Sequence, residues 1–145
     1  MKKRSLYLIF PIITLILEIL PYGAVCNFMR PATDGSNGHF RELYSYFDLM
    51  PFGYANFAPL ITAVFTCLIT VLLVFYCITG KIRIAAAAKN LSYVCVVFSL
   101  GPVTLGFHFL SIVGILITLC LIGETLLLRS LLKESNQNDS SEICR

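Results

Sequence analysis

Hydrophobic and polar positions along the chain fall in blocks rather than alternating. Residues 5–17, 57–80 and 90–123 are free of charge, and a short uncharged window at 49–56 leads into the second block. A helix needs about 20 apolar residues to cross the roughly 30 Å hydrocarbon layer of a bilayer. The run from 90 to 123 is too long for one crossing, and "SLGPVTLG" at 99–106 interrupts it with Gly-Pro and a second glycine, which are turn signals. The pattern predicts four helices, at about 5–25, 57–79, 84–101 and 106–128. The expected fold is all-α, a transmembrane four-helix bundle.

The loop at 28–56 is the one sizeable connection. It opens on "RPATDGSNG", which is turn chemistry. In the following "HFRELYSYFDL", Phe40, Leu43, Tyr44 and Phe47 recur at helical spacing while Arg41, Glu42, Ser45 and Asp48 fall opposite. A short amphipathic helix is expected there, lying on lipid or folded over the end of the bundle. "PYG" at 21–23 and "PFG" at 51–53 flank this loop. Their aromatics suit the interfacial belt, and their Pro and Gly suit a backbone leaving helical geometry.

Charge then orients the chain. Lys2, Lys3, Arg4, Lys81, Arg83, Lys89, Arg129, Lys133 and Arg145 share one side of a four-span topology, leaving Arg30 and Arg41 on the other. Basic residues are retained in the cytoplasm, so both termini are expected there, in the plasma membrane. Topology accounts for the basic residues without a nucleic-acid partner. Only 13% of residues are charged and 57% are hydrophobic, against roughly 25% charged in soluble domains. Four of the six cysteines fall in predicted spans, where a thiol packs as a small apolar group. No metal-ligand spacing occurs, and no cofactor is expected. The basic start followed by an apolar stretch also fits a cleaved signal peptide ending at Cys26. The membrane domain is expected over 1–133, with a polar, disordered cytoplasmic tail at 134–145.

Small and hydroxyl residues form seams. Thr62, Thr66 and Thr70 recur every fourth residue, with Ala85, Lys89, Ser92 and Ser99 on the third span and Ser111, Gly114, Thr118 and Thr125 on the fourth. Such seams let helices approach closely in lipid, and a hydroxyl-lined path would use the same stripe. Three ionisable residues interrupt the spans. Lys89 and Glu124 are expected at matching depths near the cytoplasmic side, as an ion pair. Glu18 is expected near the outer side, with His108, Tyr22, Arg30 or Arg41 as its partner. A carboxyl at membrane depth is costly and so is a candidate functional group.

No nucleophile, paired acid and base, or catalytic motif is present. "RELYSYFDLMPFGYANFAP", with "ILPYGAVCNF" upstream, resembles a pattern in small four-pass membrane proteins of low-GC Gram-positive bacteria. The resemblance covers the first span, loop and second span. It implies architecture and a bacterial source, and carries no activity or site residues. Two function classes follow. One is a non-enzymatic protein whose seams engage another membrane protein or a second copy of itself. The other is an oligomeric transporter or channel subunit using the Glu18 carboxyl.

Overall fold

A computed structural model of the chain describes residues 5–29, 39–48, 57–106 and 109–143. A 3-10 turn at Ser5–Leu8 leads into helix α1, Ile9–Ile19. Pro21 stops it. Leu20 stands at φ −65°, ψ 136°, the extended conformation that a following proline favours. The first helix therefore ends six residues short of the expected boundary at 25.

Beyond the proline, the amide of Gly23 donates to the carbonyl of Tyr44 at 3.1 Å and closes a hairpin. Strand β1, Ala24–Met29, pairs antiparallel with β2, His39–Tyr44, from Ala24 opposite Tyr44 to Met29 opposite His39. This corrects the amphipathic helix expected around Phe40–Phe47. An isolated helix of two turns carries the full nucleation cost with few hydrogen bonds in return. Aromatic residues favour strands, and β1 supplies a partner for every backbone group along the facing edge.

Helix α2, Ala58–Thr79, matches its expected span to within a residue, with Pro59 in the first turn. The end is set by Gly80, in the left-handed region at φ 68°, whose amide donates to the Tyr76 carbonyl at 2.8 Å. Gly80→Ala is expected to cost about 1 kcal/mol, because a Cβ disfavours that conformation. Thermal unfolding of the purified variant measures it. Helix α3, Ile82–Ser99, is followed by a short helix α4, Gly101–Leu105, and by Gly106 at φ 121°. Helix α5, Ile112–Ile143, starts six residues later than expected because Ser111 caps it, its Oγ accepting the Gly114 amide at 2.8 Å. It also runs on through 134–143, where a disordered tail was expected. No glycine or proline follows Gly123 to break the helix.

The long helices close a ring. α1 packs on α2 and α5, and α3 packs on α2 and α5. Inside the ring lie Thr14, Glu18, Thr62, Ala63, Thr66, Ala85, Ala88, Ser92, Cys95, Glu124 and Thr125, all buried, with Ile69, Leu73, Ile117, Leu121 and Leu128. Outside lie exposed Ile12, Ile16, Leu68, Val71, Phe75, Val97, Leu119 and Leu126. A soluble protein distributes these types the other way round. α2, the stretch Ile82–Thr104 and the first part of α5, Ile112–Ser135, are long and apolar enough to cross a membrane, while the apolar helix at Leu6–Ile19 is shorter. Small residues inside and large aliphatics outside are what lipid as solvent selects.

Candidate functional site

Two carboxyl groups stand inside the ring. Glu18, the penultimate residue of α1, is fully buried on the face that Pro11 and Thr14 also occupy. Thr66 of α2 donates its hydroxyl to Glu18 Oε1 at 2.8 Å, and Glu18 Oε2 has no partner. The same hydroxyl lies 3.0 Å from the Thr62 carbonyl and 3.7 Å from Cys95 Sγ. A threonine hydroxyl has one hydrogen and two lone pairs, so the two acceptors compete for it. When Glu18 is ionised, Thr66 donates to it, and the Thr62 carbonyl keeps the Cys95 thiol at 3.6 Å. When Glu18 carries a proton, it donates to Thr66, and Thr66 turns its hydrogen to Thr62. Both arrangements fit the observed positions without moving a helix.

Glu124 is the second carboxyl, 1% exposed, with neither oxygen partnered. It shares its face of α5 with Leu121 and Leu128, both fully buried. α1 and α5 approach closely beside it, since a Cβ on Gly123 would stand 2.9 Å from Phe10 Cε1. Antiparallel helices lean their side chains toward each other's level, because each Cβ tilts toward its own N-terminus. Glu18 and Glu124 thus lean toward one another along the interior from opposite ends, with Gly123 of α5 level with Phe10 of α1, and Cys95 lies beside the Thr66 hydroxyl that Glu18 holds.

Both carboxyls are near the middle of the bundle. At 1.5 Å per residue, Thr66, level with Glu18, lies about 12 Å in from Ala58, and Glu124 about 18 Å in from Ile112. The sequence placed them at opposite faces because its spans ended elsewhere: α1 stops at Ile19, and α5 starts at Ile112.

The expected partners that the structure describes do not join them. Lys89 is half-buried, with Nζ 6.0 Å from the centre of the Tyr93 ring, and the Glu124 oxygens have no hydrogen-bond partner. The ion pair therefore does not form. The buried face of α3 is Ala85, Ala88, Ser92, Cys95 and Ser99, and Lys89 lies about 100° round from Ala88. Tyr22 is exposed, and Arg41 donates instead to the Leu110 carbonyl at 3.0 Å. Arg30 and His108 lie outside the described residues.

The seams close within the chain. Ser99 and Thr118 bring α3 and α5 together through their hydroxyls at 2.6 Å, and Thr125 donates to Ser92 at 3.1 Å. Thr62 and Thr70 each donate one turn back, to Ala58 and Thr66. Sequence reasoning missed Thr14, Cys95 and Tyr46. Helical spacing from Ser92 and Ser99 would have placed Cys95 in the seam, but nothing local marks Tyr46. Tyr46 is 2% exposed, its amide donates to the Glu18 carbonyl at 3.0 Å, and burial, reinforced by the Glu18 charge, pushes its phenol pKa up.

Among the described residues, no three His, Cys, Asp or Glu side chains cluster to hold a metal ion. The arrangement suits a smaller task. Among the described residues neither carboxyl forms an ion pair, and the Thr66 hydroxyl accommodates either state of Glu18. Comparison with protein-family models, with curated proteins and with solved structures finds no match to this chain.

Proposed function

We propose that this chain is a four-pass membrane protein that takes up and releases protons at Glu18 and Glu124, and works as a small proton-coupled transport subunit in an oligomer. The supporting observation is that three of the four carboxyl oxygens are buried in the bundle without a hydrogen-bond partner among the described residues. A charge at that depth costs several kcal/mol, so carboxyls persist in such places mainly where their protonation is used. The first crossing combines a helix of about 21 Å with the hairpin that follows it. Hydrogen bonding within the hairpin keeps that backbone tolerable near lipid. Both termini lie in the cytoplasm of the cell that carries it, by the bias of basic residues.

The alternative, an accessory protein that binds other helices through its seams, loses its main support. Thr62, Thr66, Ser92 and Ser99 are buried against the chain's own helices.

Purified protein in liposomes, treated with dicyclohexylcarbodiimide and mapped by peptide mass, tests the proposal. Protonated carboxyls in apolar surroundings react, so labelling is expected at Glu18 and Glu124 and is expected to fall as pH rises. A pH gradient across the same liposomes, read with entrapped pyranine, is expected to collapse faster than in protein-free controls. Glu18→Gln and Glu124→Gln should each slow that collapse at least tenfold. Absence of label at both positions, or flux indifferent to both substitutions, overturns the proposal.

A further inference from the structure

A cavity of about 260 Å³ lies at the end of the bundle where α3 turns through α4 toward α5, beside the hairpin. Its wall is mostly apolar, with Leu100, Val103, Phe109, Leu110, Ile115 and Leu119. Four hydroxyl residues also line it: Tyr46, Ser99, Ser111 and Thr118. Among the described residues no charged side chain does. The walls come from four places in the chain, and two glycines make the room. A Cβ on Gly114 would stand 3.0 Å from Ser111 Oγ and 3.3 Å from the Tyr46 hydroxyl, and one on Gly23 would stand 2.8 Å from Tyr46 Cδ1.

Hydrogen bookkeeping shows what the polar end of this cavity offers. Thr118 donates its hydrogen to the Gly114 carbonyl at 2.9 Å, so in the 2.6 Å contact Ser99 is the donor and Thr118 the acceptor. Ser111 donates to the Gly23 carbonyl at 2.5 Å and accepts the Gly114 amide. All three hydrogens are committed inside the protein, while lone pairs remain on Ser99, Thr118 and Ser111. Around the Ser99–Thr118 pair the cavity therefore presents hydrogen-bond acceptors on an apolar wall, and the Tyr46 hydroxyl adds one donor away from that pair.

We propose that this cavity binds a small, uncharged, mainly apolar molecule carrying one O–H or N–H donor, seated with the donor on the Ser99–Thr118 hydroxyl pair. A charged ligand would meet no counter-charge among the described residues, and a sugar-like one would strand most of its polar groups against hydrocarbon. A dry cavity of about 150 Å³ accommodates benzene, so this one suits on the order of ten heavy atoms. Binding here stands independently of proton movement at the carboxyl pair.

Indole is a fitting probe, with one N–H on an apolar ring, and N-methylindole is its control without the donor. The chain contains no tryptophan, so indole fluorescence can be read against the protein. Proteoliposomes and protein-free liposomes of the same lipid are titrated side by side. The expected result is a saturable indole component present only with protein, roughly tenfold weaker for N-methylindole. Thr118→Val should weaken indole by a similar factor, and Glu18→Gln should leave it unchanged. Partitioning equal to protein-free liposomes overturns the site. Equal saturable binding of indole and N-methylindole to the unmodified protein overturns the donor assignment, whatever the variant does to folding.

Discussion

Glu124→Met is expected to raise the unfolding free energy by about 1–3 kcal/mol while abolishing pH-driven flux. Glu124 places two unpartnered oxygens among Leu121, Leu128 and the α1 helix, and a thioether of similar length has no polar atom of comparable demand. Glu18→Met should gain less, because it also removes the Thr66 contact at 2.8 Å. Chemical unfolding in mild detergent, followed by circular dichroism, ranks the three proteins. A fall in stability for Glu124→Met would mean that the carboxyl holds the bundle together, and would remove the reason to read it as functional. A rise with loss of flux is the signature of a group kept at the expense of the fold.

Tyr46→Ala is expected to be the most damaging single truncation outside the helices, at about 3–5 kcal/mol. The residue is 2% exposed, and its ring fills the space left by the missing side chain of Gly23. Its amide ties the segment after β2 to the carbonyl of Glu18, so the ring clamps the hairpin over the end of α1. Removing it opens a void between α1, the hairpin and the start of α5. Tyr46→Phe keeps the ring and should lose only a small part of that energy. If Tyr46→Ala unfolds at the same denaturant concentration as the parent, the hairpin is not packed on the bundle. Because Tyr46 is near Glu18, the alanine variant should also let water reach the carboxyl, seen as faster carbodiimide hydrolysis at Glu18 without a change at a surface carboxyl such as Asp48.

The sequence alone determined that the chain is mostly helical, with its apolar segments long enough for a membrane, because length and uncharged composition are local properties. It determined α2 almost to the residue, since the stretch from Pro59 to Gly80 carries its own start and stop chemistry. It also singled out Glu18 and Glu124, because a carboxyl in an apolar run is conspicuous wherever the run packs. Only the tertiary structure decided their relation. Depth depends on where each helix begins and ends, and those ends were set by Pro21, by the Ser111 cap and by a hairpin whose strands are ten residues apart in the chain. The face each helix turns inward was likewise a collective outcome. α3 buried Ala88 and Cys95 rather than Lys89, because the small side chains let α2 and α5 approach and the lysine does not. A charge pair that looked natural along the sequence therefore came apart, and both carboxyls were turned into the interior without the lysine.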